Sequence, residues 1–160
     1  MRAVIQRCHH ARVEVEGETV GEIGNGLVVF LGVAAGDDES CAQKLAAKII
    51  GLRVFDDEDG KFNFSVKDVK GGVLVVSNFT LCGDARKGTR PSFSDAAKPK
   101  IANALYERFV TLIRDQGIEV ATGKFGAAMK VTVENDGPVT MILEAAPPHP
   151  SPDQSPVLSH

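Results

Sequence analysis

The sequence of 160 residues has few aromatic side chains and little net charge. Trp is absent, Tyr106 is the only tyrosine, and aromatic residues make up 6% of the chain. A protein that stacks single-stranded bases on a broad surface needs more rings than this. The formal net charge of −3 also argues against a histone-like DNA binder, although it is compatible with a local basic patch. We therefore expect no DNA partner.

The sequence also lacks the patterns of common metal and nucleophile sites. Cys8, Cys41 and Cys82 are an odd number of cysteines without a C-x-x-C pair, which excludes a disulfide framework and a cysteine zinc site. H-x-H, H-E-x-x-H, G-x-S-x-G and Walker motifs are missing. We therefore expect no metal and no cofactor.

Long apolar runs are missing as well. The longest uncharged run, residues 23–36, contains four glycines and is shorter than the roughly 20 apolar residues that span a bilayer. The first residues include Arg2, Arg7 and Arg12 and no unbroken apolar stretch, unlike a signal peptide. These features predict a cytoplasmic protein without a membrane partner.

Apolar periodicity predicts a strand-rich chain with two helices. The first helix opens at Gly36-Asp37-Asp38, where an Asp can cap it, and has the stripe Cys41, Leu45, Ile49 and Leu52. The second covers residues 95–116 and has the stripe Ile101, Leu105, Phe109 and Leu112. The predicted strands cover residues 3–16, 19–23, 27–33, 72–79, 118–121, 129–134 and 139–143.

This order predicts an α+β fold, with two helices covering a mostly antiparallel or mixed sheet. Residues 1–145 form the predicted domain, and residues 146–160 are a Pro-rich tail. Two helices cover only part of so many apolar strands. We therefore expect a homodimer in which the sheets pack together.

Two segments rich in polar residues are candidates for chemistry. Residues 77–81, SNFTL, place two hydroxyls at the end of a buried strand, where they could instead satisfy backbone groups. The loop of residues 83–93 carries Arg86, Lys87 and Arg90 against Asp84, a local charge of 3 − 1 = +2. It is either a solvated loop or a loop that contacts phosphates of a nucleic acid.

A third segment, NDGPVT at residues 135–140, contains a turn signal that is interrupted by proline. Asp-Gly is typical of a hairpin, but Pro138 removes a backbone donor where the next strand should begin. A cis bond before Pro138 would turn two carbonyls to one side of the chain. An ordinary hairpin and a functional motif are both compatible with this pattern.

SNFTL and NDGPVT resemble the two signature motifs of the D-aminoacyl-tRNA deacylase family, whose usual forms are S-Q-F-T and N-x-G-P-V-T. The resemblance covers about residues 1–144. Asn78 replaces the family's usual Gln, which shortens the reach of that amide, and Ala128 stands where the family usually has an acid. Further matches are Leu52-Arg53-Val54-Phe55, Gly60-Lys61, Gly88, Arg90-Pro91-Ser92-Phe93, Leu105-Tyr106, Gly123 and Phe125-Gly126-Ala127.

The resemblance implies a homodimer that hydrolyses the ester between a D-amino acid and the 3′ end of tRNA, and that also removes glycine mischarged on tRNA. It implies a cis Gly137-Pro138 bond that enters the partner subunit's pocket and screens chirality. The site residues that it implies are Ser77, Phe79 and Thr80 at the adenosine end, Met129 and Asn78 nearby, and Arg7 bracing the Gly-Pro motif.

The sequence itself favours a positioning role for Thr80 over a nucleophilic role. No histidine or carboxylate lies within three residues of Ser77 or Thr80 to act as a base. The 2′-hydroxyl of the terminal ribose could assist the reaction, with backbone N–H groups near Phe79 and Thr80 stabilising the oxyanion. The alternative functions are a tRNA-end binding module without hydrolysis, a small-molecule D-amino-acid esterase, and a purely structural dimer.

Overall fold

The computed structural model describes residues 1–148, which form a six-stranded sheet, a two-stranded hairpin and two α-helices. The strands are β1 (Arg2–Val15), β2 (Glu18–Ile23), β3 (Gly26–Gly32), β4 (Phe55–Asp56), β5 (Phe62–Phe64), β6 (Gly72–Ser77), β7 (Glu119–Thr122) and β8 (Lys130–Glu144). The helices are α1 (Glu39–Gly51) and α2 (Pro99–Arg114), and a short 3-10 helix covers Phe79–Cys82. Residues 149–160 of the predicted tail lie outside the described residues.

The main sheet is mixed, which confirms the predicted fold class. Its strand order is β2-β1-β3-β6-β7, and β8 pairs with β1. Ala3 pairs with Leu31 of β3 and with Leu143 of β8, so β8 lies on the opposite edge of β1. β1 pairs antiparallel with its neighbours, whereas β3, β6 and β7 run parallel.

The two helices cover one face of the sheet. Asp38 caps α1 by accepting a hydrogen bond from the Cys41 amide at 3.2 Å. Cys41, Leu45 and Ile49 are buried on that helix, as its apolar stripe predicts. Residues of β1, β3 and β6 face these helices and form the larger core. This half of the fold follows directly from helical periodicity.

The sheet curls so that its own strands partly cover its other face. β2 approaches β7 so closely that a Cβ on Gly21 would lie 2.2 Å from the Thr122 carbonyl oxygen. The curl encloses a second core with Cys8, Ala11, Val13, Ile23, Val28, Leu74 and Val76. The sheet therefore buries part of its second face by itself, while Ile142 on β8 remains 76% exposed.

Helix α2 begins later than predicted. It starts at Pro99 rather than residue 95, because Lys98 before the proline is extended and Ala97 donates its amide to the Val33 carbonyl at 3.0 Å. The predicted stripe is also shifted, since Ile101 is 52% exposed. The buried residues of α2 are Ala102, Tyr106, Phe109, Val110 and Ile113.

Two predictions about the strands differ from the structure by more than one residue. β6 ends at Ser77 rather than at residue 79, because the chain turns into the 3-10 helix. The two predicted strands of residues 129–134 and 139–143 are one strand, β8, and Asp136-Gly137 does not form the hairpin turn. On β1, Cys8 pairs with Asn135 while Gln6 pairs with Thr140, so residues 136–139 bulge out opposite Arg7.

Candidate active site

A cleft of about 740 Å³ opens where β3 and β6 end. Its size is within the usual range of small-molecule sites. We call the strand ends that line it the floor, the segment at the start of α2 one wall, and the segment before β8 the other wall. The lining residues are Phe30, Val76, Ser77, Asn78, Phe79, Phe93, Ala96, Ala97, Lys98, Pro99, Ala102, Phe125, Gly126, Ala127, Met129 and Val131.

The cleft brings together four of the residues predicted from the sequence. Ser77, Asn78 and Phe79 lie on its floor, and Met129 lies on the wall before β8. Met129 packs over Gly123, where an added Cβ would lie 2.6 Å from the Met129 sulfur. Among the described residues, these four come from two segments about 50 positions apart in sequence, which only the fold places side by side.

Thr80 lies beside the cleft in the 3-10 helix and is exposed. Its hydroxyl donates a hydrogen bond of 2.5 Å to the Asn78 side-chain oxygen. An amide oxygen is too weak a base to activate a hydroxyl as a nucleophile. The lining residues include no histidine and no carboxylate. Among the described residues, the side-chain partner of the Thr80 hydroxyl is therefore this amide oxygen and not a general base.

Aromatic rings shape both walls of the cleft. The Phe79 and Phe93 rings meet edge to face, with centroids 5.1 Å apart, and Phe79 is 60% exposed. Phe125 lies on the other wall, with its ring centroid 5.8 Å from that of Tyr106. Burial raises the pKa of Tyr106 to about 12, and its hydroxyl donates to the Val75 carbonyl at 3.0 Å. Phe79, Phe93 and Phe125 together give the cleft an aromatic lining.

The site includes residues that the sequence analysis did not assign. Phe93 and Phe125 belong to the matched segments RPSF and FGA, so the family pattern could have indicated them. Lys98 is the one charged residue among those that line the cleft within the described chain. It lies immediately before α2, and no motif marked it.

The Gly-Pro motif lies away from the cleft of its own chain. The Gly137-Pro138 bond is cis, and both residues are exposed. Neither lines the cleft. Asn135 fixes the bulge, because its side chain accepts the Val139 amide at 3.2 Å and donates to the Thr140 hydroxyl at 3.0 Å. Within one chain, the Gly-Pro motif is therefore separate from the cleft that Ser77, Asn78 and Phe79 line.

Arg7 is buried directly behind the bulge. Its Nη1 donates to the Val54 carbonyl at 2.9 Å and lies 3.3 Å from an Asp56 carboxylate oxygen. Its Nε lies 3.1 Å from Asp136 but without the angle of a hydrogen bond. An added Cβ on Gly137 would lie 3.4 Å from Arg7 Nη2. A buried cation is acceptable here because two carboxylates face it.

The basic loop is closed at its base and carries its charges at the tip. Asp84 and Ser92 exchange two backbone hydrogen bonds of 2.7 and 2.8 Å. Arg86 binds Asp84 through two side-chain contacts of 2.9 and 2.7 Å, which lower the pKa of that carboxyl to about 2. Lys87 and Arg90 are exposed and form no ion pair with any described residue. Arg86 is therefore already partnered, unlike the other two cations.

The cysteines are poor candidates for the nucleophile. Cys8, Cys41 and Cys82 are all buried free thiols. Burial raises the pKa of each, and that of Cys8 reaches about 11, so thiolate is scarce at neutral pH. Within residues 1–148, no group of three or more His, Cys, Asp or Glu side chains could hold a metal ion. In that same range no helix has the length and apolarity needed to cross a membrane.

Comparison with known proteins agrees with the motifs. Residues 4–144 match the family described as D-Tyr-tRNA(Tyr) deacylase. A D-aminoacyl-tRNA deacylase of Thermotoga petrophila is 58% identical over 146 residues, which are 91% of this chain and 98% of that protein. One of Geobacter sulfurreducens is 58% identical over 144 residues, covering 90% of this chain and 95% of that protein.

Two solved structures share the fold. The structure called c-Myc DNA Unwinding Element Binding Protein has a TM-score of 0.86 and 40% identity, covering 92% of this chain and all of that one. A probable eukaryotic D-amino acid tRNA deacylase has a TM-score of 0.78, covering 90% of this chain and 98% of that one. At 18% identity, the second likeness concerns the fold alone.

The fold, the cleft and these matches define an α+β hydrolase of the deacylase class. The chain belongs to the D-Tyr-tRNA(Tyr) deacylase family. The family predicted from SNFTL and NDGPVT is thereby confirmed.

Proposed function

We propose that the protein hydrolyses the ester of D-aminoacyl-tRNA and so proofreads the chirality of amino acids in translation. The observation that carries the proposal is the cleft, whose lining brings together Ser77, Asn78, Phe79 and Met129. This cleft and the family membership of the chain together support binding of the end of an aminoacylated tRNA.

The terminal adenosine of tRNA is the part of the substrate that fits the cleft. Its base is flat and stacks on aromatic faces such as those of Phe79, Phe93 and Phe125. Lys98 at the rim could meet the phosphodiester that precedes this nucleotide, since no carboxylate lines the cleft to compete. This placement leaves the ester near Ser77 and Thr80, at the end of β6.

We propose that the substrate's own 2′-hydroxyl supplies the chemistry that the protein lacks. An aminoacyl ester is already activated, and the lining of the cleft offers no base. Water adds to the ester carbonyl, the bond to the 3′-oxygen breaks, and that oxygen leaves with a proton. The 2′-hydroxyl beside it can orient the water, while the amides of Phe79 and Thr80 stabilise the oxyanion. Thr80 and Ser77 then position the substrate.

Chiral selection belongs to Gly137 and Pro138 in this proposal. They are exposed and outside their own chain's cleft, which suits a role in the cleft of a second copy. Their carbonyls can accept the ammonium of the substrate and crowd the side chain of an L-amino acid. Glycine has no side chain to exclude, so glycine mischarged on tRNA should also be hydrolysed. Arg7 braces this motif from behind.

The protein should be a homodimer in solution, because the proposed site needs the Gly-Pro motif of a second copy. Ile142 lies on the same strand as that motif and is 76% exposed. Ile142→Asp should produce a monomer with greatly reduced activity. Val20→Asp is the matched control, since Val20 is an exposed valine on β2. Sedimentation equilibrium at micromolar concentration measures both, and a monomeric parent protein would contradict the shared site.

The basic loop should contribute to tRNA binding through Lys87 and Arg90 more than through Arg86. Phosphate contacts release counterions, so the slope of log K against log salt is negative, and losing each contact reduces its magnitude by about one unit. Replacing Lys87 and Arg90 with Gln should reduce the magnitude of the slope by about two units, while Arg86→Gln should reduce it by less than about one unit. Filter binding across a salt series gives these slopes.

The control for this series is the pair Lys44→Gln and Lys48→Gln, which removes the same charge from exposed positions on α1. The slope of that variant should equal the slope of the parent protein. If the Lys87 and Arg90 variant also keeps the parent slope, the loop is exposed to solvent and does not contact the phosphates of tRNA.

The proposed substrate class can be tested with two esters of the same D-amino acid. The purified protein should hydrolyse D-aminoacyl-tRNA rapidly and the methyl ester of that amino acid slowly, because the methyl ester lacks the adenosine and the 2′-hydroxyl. Comparable specificity constants on the two esters would indicate a small-molecule esterase. Binding of charged tRNA without turnover would indicate a binding module.

A further inference from the structure

The 3-10 helix of Phe79–Cys82 is held in place from the first strand of the fold. The Nη1 of Arg2 donates to the Leu81 carbonyl at 3.1 Å, and its Nε lies 3.0 Å from the Glu144 carboxylate on β8. One guanidinium therefore joins the turn that carries Phe79 and Thr80 to two strands of the sheet.

Two further contacts seat the same turn. The Asn78 amide donates to the Leu31 carbonyl at 2.8 Å. A Cβ on Gly32 would lie 3.0 Å from the Leu81 Cβ and 3.1 Å from the Asn78 carbonyl oxygen. The 3-10 helix therefore packs directly against the backbone of β3 at Gly32, and Arg2 binds the carbonyl near its C-terminal end. Gly32 is also the β3 residue that pairs with Arg2.

We infer that Arg2 is a positioning residue that fixes the 3-10 helix, and with it Phe79 at the floor of the cleft and Thr80 beside it. This inference rests on the proposed function of the same cleft. A short 3-10 helix has few hydrogen bonds of its own, and here Leu81 and Gly83 donate to Asn78 and Thr80 at 3.3 and 3.0 Å. A charged donor on its carbonyl end adds a contact that the turn cannot make by itself.

The effect on catalysis should be in kcat rather than in KM. A shift of about 1 Å in a positioned group can lower a rate by as much as 100-fold, while most of the binding surface stays in place. Arg2→Met keeps the unbranched stem of the side chain but removes every donor. We expect its kcat on D-aminoacyl-tRNA to fall about tenfold, with KM within twofold of the parent value. Arg2→Lys keeps a donor and should restore most of kcat.

Glu144→Gln is the matched control, because it breaks the ion pair of Arg2 but leaves the contact to Leu81. Its kcat should stay within twofold of the parent value. A fall in kcat as large for Glu144→Gln as for Arg2→Met would overturn the inference. So would a raised KM with unchanged kcat for Arg2→Met, since Arg2 would then act as a cation that attracts tRNA.

A readout that does not depend on turnover separates this inference from the proposed function. The amide resonances of residues 78–83 in the full chain should shift in Arg2→Met and remain nearly unchanged in Glu144→Gln. If Arg2→Met fails to fold, Arg2→Gln carries the same test, because it removes the guanidinium but keeps a polar side chain at this partly exposed position. Unshifted amides in every variant that folds would overturn the positioning role, even if the parent protein deacylates tRNA.

Discussion

Removing the 2′-hydroxyl of the terminal ribose should nearly abolish hydrolysis, whereas Thr80→Ala should remain active. The cleft offers no histidine or carboxylate, and the Thr80 hydroxyl is bound to the Asn78 amide oxygen. General acid–base assistance contributes about 100- to 10,000-fold to such reactions. We expect a loss of at least about 100-fold with D-aminoacyl-tRNA that ends in 2′-deoxyadenosine, and a loss within about tenfold for Thr80→Ala.

Single-turnover rates on the two substrates measure this directly, with the normal ribose substrate and the parent protein as controls. The binding of the deoxy substrate should be checked, because weak binding would imitate slow chemistry. An acyl-enzyme trapped on Thr80 would contradict the substrate-assisted reaction and restore a nucleophilic role for that residue.

Gly137→Ala should weaken the discrimination against L-aminoacyl-tRNA. Gly137 has a φ of +124°, a region that favours glycine, and an added Cβ would lie 2.9 Å from a methyl carbon of Val139. The backbone of the bulge must therefore move, and the carbonyls that we propose to screen chirality move with it. We expect the ratio of L to D hydrolysis to rise about tenfold or more, measured with matched D- and L-aminoacyl-tRNA.

Gly36→Ala is the matched control for this variant. Gly36 also has a positive φ, +88°, but an added Cβ would meet no atom within 4 Å. It should lose some stability through backbone strain while it keeps the parent selectivity. Because the bulge is proposed to reach a second copy, the oligomeric state of Gly137→Ala must be measured in the same samples. A dimeric Gly137→Ala protein that rejects L-substrates as strictly as the parent would place the chirality screen elsewhere.

Local patterns in the sequence predict helix α1 and the architecture well. Asp38 caps α1, and its buried positions follow a regular helical spacing. The sequence pattern places the start of α2 too early, because the backbone contact between Ala97 and Val33 competes with the helix before Pro99. Such a contact joins distant segments, and no local pattern reveals it.

The site shows the same division between local and long-range information. The motifs around Asn78 and Gly137 are contiguous, so the sequence could supply them through the family resemblance. The position of Lys98 in the cleft depends on how segments distant in sequence pack together, and so does the hydrogen bond between Arg2 and Leu81. The spacing of residues along the chain therefore predicts neither of them. The bulge of β8 is a further case, since Asp-Gly favours a hairpin locally while pairing with β1 on both sides keeps the strand continuous.

The most direct test of the central claim is deacylation of one tRNA charged with the D- or the L-form of the same amino acid. The purified full-length protein should release the D-amino acid at least about 100-fold faster than the L-amino acid, and it should also release glycine from tRNA. Equal rates on the D- and L-substrates, or no turnover of the D-substrate above the spontaneous rate, would contradict the proposed function.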